Sequence, residues 1–358
     1  MNIGDISLLN ANFETISEPI DGYESLFFDL FYYRTGTFEL HLPPRYFHTA
    51  RDAEYIYVSG NNLLGVIDEV AYTDNEGGLD LVVKGSTPES IFRDRVADTV
   101  YEYNGTVDDV VYAVLTKYAL TGDRKISNLI LEPKTGLYTE IIHGAIETGA
   151  ELESWLYSVL KPLEASYTIT YDFAAQTLVF ALCRGADRTV GNPNDNTVAI
   201  FSETFENLSG ISYQKSKSGH KNFAYVKGEN LTVTVDQTNG CPRREMYIES
   251  SIKSGEVSNY ANALRQQGVE ALEQNKLIEN VGGEILSAAT LIYGEDYALG
   301  DLCDINAIHG AAGNMGIQWQ SRITELMIIY ERSGVRYEPK FGEAQTVTNI
   351  RRLIKELK

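Results

Sequence analysis

Alternating hydrophobic and polar residues dominate the first quarter of the chain and predict β-strands there. The clearest strand candidates are residues 38–42, 55–58 and 63–72. Residues 73–78 contain an asparagine and two glycines, which tolerate the positive φ of a hairpin loop. We therefore expect a β-hairpin that joins residues 63–72 to residues 79–83.

Between residues 87 and 163 the hydrophobic period becomes helical and predicts three amphipathic helices. Their starts are marked by Thr-Pro-Glu at 87–89 and by variants of the capping box at Thr106 and Thr148. The apolar residues that follow share one face of each helix: Phe92, Val96 and Val100; Val110, Val111, Val114, Leu115 and Tyr118; Leu152, Trp155, Leu156, Val159 and Leu160. Two short strands are expected next, at 167–171 and 177–182.

Turn-forming residues at 191–196 mark a change in composition and predict a domain boundary. Beyond it we expect a helix over 257–276, with Ala261, Leu264, Gly268 and Leu272 on one face, and a turn at Asn239-Gly240. The predicted strands of this part are 198–201, 223–226, 231–235, 245–249, 285–292, 297–305 and 317–330.

A basic amphipathic helix is predicted at the C-terminal end of the sequence. Its apolar side carries Val347, Ile350, Leu353, Ile354 and Leu357, and its opposite side carries Arg351, Arg352, Lys355 and Lys358.

These patterns together predict a multidomain α+β protein that is rich in β-structure. Residues 1–85 are expected to form a first β-domain, completed by strands within 197–230, and residues 86–196 an inserted α+β domain. Residues 197–280 are expected to form a linking or outer domain that consists of strands and a helix. Residues 281–358 are expected to form a second β-domain with the C-terminal helix.

The charge balance narrows the classes of partner. The chain has 358 residues, with 50 Asp and Glu against 30 Lys and Arg, a net charge of −20. Proteins that grip phosphate backbones need a basic surface, so the composition argues against a stable complex with nucleic acid. No leader or membrane-spanning pattern is present in this sequence, and we expect no stable membrane association.

Cysteine usage points to a reducing compartment. The chain has three cysteines, Cys183, Cys241 and Cys303, which are odd in number and more than fifty residues apart. This pattern fits neither a disulfide framework nor a cysteine zinc site. We expect the protein to fold in the cytosol.

No motif in the sequence carries a defined catalytic mechanism. The chain has no Gly-Lys dipeptide, which a Walker A phosphate loop requires. The glycine-rich residues 310–316 lie between two predicted strands and not before a helix, so they do not fit a dinucleotide site. Residues 212–215 have the Ser-x-x-Lys spacing of penicillin-binding proteins. They fall in a strand pattern instead of opening a helix, so we interpret the match as chance. We expect no catalytic, cofactor-binding or metal-binding residue and no cofactor.

Histidines and an Asn-rich loop are further candidates for chemistry. The five histidines lack the spacing of a zinc site, although His41 and His48 flank Pro43-Pro44. Residues 192–196 resemble a calcium loop in composition only, since they lack its alternating ligands and closing glutamate. We expect a turn there.

Pairs of acidic residues are the remaining candidates for catalysis of a hydrolysis. They occur at Asp108/Asp109, Glu203/Glu206 and Asp301/Asp304. The first pair opens a predicted helix, where acids favour the helix dipole. A glycosidase pair depends on the distance across a cleft, so the sequence leaves this alternative open.

An ordered set of short segments runs along the chain. In order they are residues 57–67, the strand 81–85, an FS…NL pattern at 201–208, a KN..YV.G pattern at 221–228, Y.LGD at 297–301, I.E at 323–325 and FG at 341–342. The set is similar in order and spacing to the hub proteins of phage tails, particularly those of siphoviruses of Gram-positive hosts and of tail-like particles.

One segment departs from the pattern of these hubs. In the family, a strand equivalent to residues 81–85 often ends in GRDL and leads into a helix, whereas this chain lacks the Arg-Asp pair and retains Arg95. The shared positions are structural ones, so the resemblance brings no catalytic residue.

The resemblance implies a homotrimer in which each chain contributes two tube-like β-barrel domains, with inserted α+β domains outside. Three chains would form a ring at the distal end of the virion tail, with a channel that DNA crosses only in transit. The implied partners are the distal tail protein, the tail tube protein, the tape-measure protein and a tip, spike or receptor-binding protein. Assembly is expected in the host cytoplasm, without an enzymatic domain after Phe341-Gly342.

Two other classes of function stay open at this point. A tail enzyme that cleaves cell-wall carbohydrate or peptide would use one of the acidic pairs and would lose activity when one of its acids is replaced. A glycan-binding adhesion module would use the 23 tyrosines, whose rings combine an apolar face with a polar tip.

Overall fold

The computed structural model describes residues 5–20, 22–75, 78–255, 260–285, 291–307, 317–331 and 334–342. Within these ranges the protein is rich in β-structure and has four α-helices. The helices are α1 Phe47–Arg51, α2 Val107–Ala119, α3 Leu152–Leu160 and α4 Tyr260–Gln274. The predicted class, a β-rich α+β protein, is confirmed.

The strands follow the chain from one end of the described part to the other. They are β1 Ile6–Leu9, β2 Ser25–Phe31, β3 Thr37–Leu42, β4 Tyr55–Val58, β5 Leu63–Asn75, β6 Gly78–Ser86, β7 Tyr101–Thr106, β8 Leu129–Leu131, β9 Ile141–Ile146, β10 Ser166–Asp172, β11 Thr177–Cys183, β12 Ile200–Ser202, β13 Leu208–Ser216, β14 Phe223–Lys227, β15 Thr232–Asp236, β16 Glu245–Glu249, β17 Ile278–Ile285, β18 Leu302–Ala307, β19 Ile317–Glu331 and β20 Gly334–Gly342.

One large sheet connects the two ends of the chain. Its strands form a continuous ladder in the order β1-β4-β5-β6-β3-β2-β19-β20-β17-β13. The antiparallel pair of β2 and β19 joins the N-terminal strands to the C-terminal ones, with Ser25 opposite Glu331 and Phe31 opposite Glu325. β18 pairs with the first part of β19 and also carries the short parallel strand β12. Late residues of the chain therefore complete the sheet that early residues begin.

Buried apolar side chains gather in four clusters. The first lies against β1–β6 and includes Leu326 and Ile328 of β19. The second surrounds α2 and α3 in the middle of the chain. The third includes Phe201 of β12 and Phe341 of β20, and the fourth lies between β14–β16 and α4, around Leu264. Most residues of each cluster come from one of the four predicted domain ranges. The domain boundaries themselves stay a prediction.

Local signals place several elements correctly. Thr106 is the N-cap of α2, and its hydroxyl accepts a hydrogen bond from the Asp109 N–H at 3.3 Å. The hairpin of β5 and β6 closes with Asn75 opposite Gly78. Asn239 and Gly240 both have positive φ, as a tight turn between β15 and β16 requires. The predictions for α4 and for β10, β11 and β14–β16 are confirmed to within a few residues.

The amphipathic helix predicted from residue 87 is wrong. Only Pro88–Phe92 is helical, as a 3-10 segment. The following backbone pairs with the segment before α3, where the Ala97 N–H donates to the Ala150 carbonyl at 2.8 Å. Val96 is 44% exposed instead of facing a core. The pairing with a distant segment overrides the helical spacing of the apolar residues.

The start of α3 also differs from the prediction. Its N-cap is Glu151 and not Thr148, and the Glu151 carboxylate accepts a hydrogen bond from the Ser154 hydroxyl at 2.7 Å. Thr148 precedes Gly149, whose φ of 87° lies in the left-handed region. Because a right-handed helix cannot include that conformation, the helix begins after the turn.

Two C-terminal strands have different bounds from those predicted. β17 occupies 278–285 in place of 285–292, of which residues 286–290 lie outside the described part. β18 begins at Leu302, because the residues from Tyr297 to Gly300 form a turn in which Gly300 has a φ of 95°. The predicted C-terminal helix and the glycine-rich residues 310–316 also lie outside the described residues.

Gly85 is required by the close approach of two strands. β5 shifts its register against β6 between Ile67 and Glu69. A Cβ atom on Gly85 would lie 1.8 Å from the Val66 carbonyl oxygen and 2.6 Å from the Phe38 ring. Backbone cannot yield at that distance without moving a strand.

Substitution of this glycine tests the packing. We expect Gly85→Ala to lower the free energy of unfolding by about 3 kcal/mol or to prevent folding. Gly105→Ala in β7 is the matched control, because its Cβ would meet nothing closer than 3.6 Å. Urea unfolding of the two variants measures the difference, and equal midpoints would contradict the close approach.

Candidate functional site

Tyr32 lies where three parts of the chain meet. It follows β2 and is 4% exposed. Its hydroxyl accepts a hydrogen bond from the Gly185 N–H at 3.0 Å and donates to the Glu164 carbonyl at 3.1 Å. Its own carbonyl accepts from the Ser166 hydroxyl, and its N–H donates to the Thr324 carbonyl at 2.9 Å. Burial raises the pKa of Tyr32, so the phenol stays protonated.

Two glycines and an arginine complete this contact. A Cβ on Gly300 would lie 2.3 Å from the Tyr32 ring, and a Cβ on Gly185 would lie 1.7 Å from the Gly300 carbonyl oxygen. The Arg322 guanidinium donates to that carbonyl at 2.5 Å and to the Glu164 carboxylate at 2.7 Å. We call Tyr32, Glu164, Gly185, Gly300 and Arg322 the Tyr32 junction. It connects β2, the middle region and the β18–β19 pair.

Asp301 has a structural role beside the junction. It is 3% exposed, and its carboxylate accepts hydrogen bonds from the Ala186 N–H at 2.7 Å and the Ala298 N–H at 2.9 Å. The Arg188 guanidinium donates to it at 2.5 Å. These bonds fix the segment after β11 against the turn that enters β18.

Asp304, the second acid of that pair, borders a groove. Its carboxylate accepts hydrogen bonds from the Val190 N–H at 2.7 Å and the Gln320 amide at 3.1 Å. The groove has a volume of about 350 Å³ and is lined by Val190, Ile200, Asp304, Asn306, Trp319 and Gln320. Asp301 does not line it. A glycosidase places both carboxylates at one cleft, and the groove does not bring this pair together.

The other predicted acidic pairs have local structural explanations. Asp109 forms an ion pair with Lys134 at 2.6 Å, and Asp108 accepts a hydrogen bond from the Gly136 N–H at 3.2 Å. Both bonds hold the loop before β9 against the start of α2. Glu203 and Glu206 lie in the turn between β12 and β13, where the Glu206 N–H donates to the Glu203 carbonyl at 3.1 Å.

The histidine candidates His41 and His48 lie in different elements of the structure. His41 lies in β3, 2.8 Å from the Glu39 carboxylate and 3.7 Å from the Asp80 carboxylate. The hydrogen bond between His41 and Glu39 lowers the pKa of Glu39 to about 2 and raises the pKa of His41. His48 lies in α1.

The Asn-rich loop is closed by its own side chains. The Asn192 carboxamide accepts a hydrogen bond from the Asn196 N–H at 2.9 Å and donates to the Asn196 carbonyl at 3.0 Å. This explains the turn without an ion. Residues 212–215 lie within β13, as the sequence predicts.

The partly buried Glu89 and the buried Glu153 are two acids that no motif in the sequence indicates. The Glu89 carboxylate accepts a hydrogen bond from the Ile169 N–H at 3.0 Å. Glu153, 8% exposed, accepts from the Arg93 guanidinium at 2.7 Å and from the Thr35 hydroxyl. Burial, with a smaller contribution from Glu153, raises the pKa of Glu89. Glu89 and Glu153 are distant in sequence, so no local pattern indicates that the charge of Glu153 affects Glu89.

Metal ligands, membrane-spanning helices and cysteines are three further features of the described residues. Among the residues described, no group of three or more histidine, cysteine, aspartate or glutamate side chains is arranged to hold a metal ion. No helix in this part of the chain is long and apolar enough to cross a membrane. The cysteines are free thiols, and burial raises the pKa of Cys183 to about 12.

The segments that carry the family resemblance have packing roles. In the FS…NL segment, the Asn207 carboxamide accepts from the Ser202 N–H at 2.7 Å and donates to the Ile200 carbonyl at 2.8 Å, which closes the turn after β12. In the KN..YV.G segment, Asn222 accepts from the Arg244 N–H at 2.7 Å. Gly228 makes room for α4, because a Cβ there would lie 2.0 Å from the Tyr260 hydroxyl.

The fold is that of phage and prophage tail proteins. It is similar to a tail protein from Neisseria meningitidis MC58, with a TM-score of 0.57 and 13% identity over 95% of this chain and 96% of that one. It is also similar to the 43 kDa tail protein of prophage MuSo2 from Shewanella oneidensis, with a TM-score of 0.55 and 14% identity over 94% and 97%.

Prophage tail protein gp18 from Listeria monocytogenes EGD-e is similar as well, with a TM-score of 0.51 and 12% identity over 99% of both chains. At these identities the likeness concerns the fold alone. No curated protein sequence matches the chain.

The family is shown by the sequence itself. Residues 5–343 match the model of the siphovirus ReqiPepy6 Gp37-like proteins, so the chain belongs to this family. The resemblance to phage tail proteins that the motifs predict is thereby confirmed. The protein is a structural component of a phage tail and hence of the virion.

Removal of one hydroxyl tests the Tyr32 junction. We expect Tyr32→Phe to lower the free energy of unfolding by about 1 kcal/mol, because the Gly185 N–H and the Glu164 carbonyl lose their hydrogen-bond partner at a partly buried contact. Tyr72→Phe is the control, since Tyr72 is 44% exposed. Thermal and urea unfolding measure both variants, and an unchanged stability of Tyr32→Phe would contradict the assignment.

A second test uses pH. Because the pKa of Glu89 is raised in the folded protein, its contribution to stability is full at low pH and is lost as the pH rises through that value. Glu89→Gln removes the titration but keeps the size of the side chain. We expect the stability of the wild type relative to this variant to fall as the pH is raised from 4.5 towards neutral.

Urea unfolding at a series of pH values gives that difference. Glu132→Gln is the control, since Glu132 is exposed, and its difference from the wild type should vary less with pH. A difference for Glu89→Gln that grows with pH would mean that the folded protein holds Glu89 charged.

Proposed function

We propose that the protein is a homotrimeric hub at the distal end of a phage tail. It closes or continues the tail tube and connects it to a tip, spike or receptor-binding apparatus. The observation that carries this proposal is the match to a siphovirus tail-protein family over residues 5–343, nearly the whole chain. The likeness in fold to tail proteins over 94–99% of the chain supports it.

The arrangement of the cores supports two tube-like domains in each chain. The first cluster, with β1–β6, and the third, with β12 and β18–β20, are both built on β-strands. The inserted α+β core and the β14–β16 unit with α4 lie between them in the sequence. We assign residues 1–85 and 281–358 to the tube-like domains, and 86–196 and 197–280 to outer domains.

The proposed partners follow from this position. They are two further copies of the chain, the distal tail protein, the tail tube protein, the tape-measure protein and the tip, spike or receptor-binding protein. Assembly would take place in the host cytoplasm, before the tail is complete.

The charge of the chain suits a channel that DNA crosses. A trimer carries −60, three times the net charge of −20. Acidic residues on a channel wall repel the phosphate backbone, so DNA passes without a stable complex.

We propose a structural role and no enzymatic one. The alternative is a tail enzyme that cleaves cell-wall carbohydrate or peptide with an acidic pair. Asp301 is buried and occupied by three hydrogen-bond donors, which supports a structural use of the best placed pair.

Mass and shape of the purified protein test the hub. Light scattering should give about 120 kDa, three times the chain mass of 39.9 kDa, and negative-stain images should show a three-fold ring with a central hole. A monomer that persists at high concentration and with the neighbouring tail proteins present would contradict the trimer. Cleavage of peptidoglycan by the purified protein, lost in Asp304→Asn, would support the enzyme instead.

A further inference from the structure

The sheet of β14, β15 and β16 has one covered face and one exposed face. α4 covers the face that carries Val226 and Val233. Because side chains alternate between the two faces of a strand, the neighbouring residues point away from α4. The register aligns them in three rows across the strands: Asp236, Phe223 and Glu245; Thr234, Tyr225 and Tyr247; Thr232, Lys227 and Glu249. We call this surface the β14–β16 face.

The middle row gives the β14–β16 face an aromatic centre. Tyr225 and Tyr247 lie opposite each other on adjacent strands, which are about 4.8 Å apart. Tyr247 is 58% exposed, and Thr234, at the other side of Tyr225, is exposed as well. Tyrosine combines an apolar ring with a polar hydroxyl, and it is enriched where proteins bind one another. The middle row therefore has the composition of a protein-binding surface.

One end of the β14–β16 face is basic. The Arg243 guanidinium lies 3.9 Å from the centre of the Phe223 ring, in the row next to the tyrosines. Arg244 follows it, and its guanidinium donates to the Lys217 carbonyl at 3.2 Å, which brings a further base to this end. Residues 212–253 contain seven bases and four acids, a net charge of +3 in a chain of −20. Such a surface attracts an acidic partner.

A complementary element lies in the turn between β12 and β13. Residues 203–206 have the sequence Glu-Thr-Phe-Glu. Phe205 is 56% exposed, and Glu206 beside it is exposed. We call residues 203–206 the acidic turn. Its exposed aromatic ring, with a glutamate on either side in sequence, matches a surface that has an aromatic centre and a basic end.

The spacing within the two surfaces agrees. In the acidic turn, the Cα atoms of the two glutamates lie within about 7 Å of the Phe205 Cα, since they are one and two residues away. On the β14–β16 face, the row of Tyr225 and Tyr247 lies about 7 Å from the row that Arg243 covers. A Phe205 ring placed on the tyrosines therefore brings a glutamate within reach of the guanidinium.

The size of the basic end favours a protein partner over a polyanion. The residues outside 212–253 carry a net charge of −23, since the whole chain carries −20. A long polyanion would extend beyond the basic end and meet this acidic remainder. A short acidic turn on a folded protein meets only the basic end.

Both surfaces belong to one chain, so two copies can bind through unlike surfaces. An interface of this kind leaves one free surface of each type on the pair, and it forms a ring when the rotation closes. We propose that the acidic turn of one copy binds the β14–β16 face of the next copy. Phe205 packs on Tyr225 and Tyr247, and a glutamate pairs with Arg243. This inference rests on the proposed homotrimer and adds the contact that closes its ring.

Variants of both surfaces test the contact through the mass of the assembly. We expect Phe205→Asp and Tyr247→Asp each to raise the protein concentration at which half of the trimer dissociates by at least about tenfold, because each places a charge at the centre of the contact. Leu137→Asp is the matched control, since Leu137 is an exposed apolar residue outside both surfaces. Light scattering on dilution measures the dissociation, and circular dichroism verifies that each variant is folded.

A cross-link between unlike chains locates the contact. Cys241 is exposed near the basic end, whereas burial raises the pKa of Cys183 and of Cys303 and lowers their reactivity. Wild-type protein is mixed with the double variant Thr204→Cys, Cys241→Ser and treated with a short bismaleimide. We expect a covalent dimer that joins Cys241 to the thiol introduced in the acidic turn. The double variant Thr135→Cys, Cys241→Ser is the control, because Thr135 is equally exposed in another loop.

The outcomes separate this inference from the proposed hub. A wild-type trimer that both aspartate variants leave intact would overturn the inference and leave the hub standing, as would equal cross-linking by the control thiol. A Tyr247→Asp variant that stays trimeric but no longer binds the purified distal tail protein would also overturn it, because the face would then bind that partner. A wild type that stays monomeric with the neighbouring tail proteins present would overturn the trimer and this contact together.

Discussion

The arrangement of β2, the middle region and the β18–β19 pair depends on the contacts of the Tyr32 phenol. Its ring and hydroxyl contact Glu164, Gly185 and Gly300, each of which is more than a hundred residues from Tyr32 in sequence. A buried hydroxyl with both partners satisfied fixes orientation more sharply than an apolar contact does, because each alternative geometry leaves a polar group without a partner. The Tyr32 N–H extends the β2–β19 ladder by bonding to the Thr324 carbonyl, so the same residue ties the sheet to the junction.

Acidic residues have a second role in this protein besides net charge. Asp301, Glu153 and Glu325 are buried, and each forms an ion pair with an arginine or a lysine. Arg188 and Arg93 come from distant parts of the chain, and Lys340 comes from the neighbouring strand β20. Burial of a single charge is costly, and a buried pair is tolerated only when hydrogen bonds satisfy the remaining lone pairs. The backbone donors around Asp301 meet that condition. In this protein, therefore, an acidic pair read from the sequence points first to a fixed turn or a domain contact.

Interactions between residues close in sequence were enough to predict much of the fold. Capping at Thr106, the turn at Asn239-Gly240 and the alternation in β14–β16 act within a few residues, and each appears in the structure. The predictions that were wrong concern segments whose partners are distant in sequence. Residues after Phe92 take their backbone partners from the segment before α3, and neither segment signals the other. The sequence does not predict the Tyr32 junction or the effect of Glu153 on Glu89 for the same reason, because the residues involved are far apart in the chain.

The same distinction explains why the family was visible in the sequence while no chemical site was. The motifs that carry the resemblance lie at positions where backbone geometry leaves little choice of residue: Gly228 beneath α4, Asn207 in a closed turn and Gly300 against an aromatic ring. Such constraints follow from topology, so a tail-protein fold keeps the same chain path at 12–14% identity. A structural component of a tail works through the shape of its surfaces. The choice of a surface residue depends on the partner that it contacts and not on the backbone conformation, so surface residues vary with the partner. Residue patterns therefore reveal the scaffold first, and the surfaces that bind partners can be found only from the arrangement of whole faces of the fold.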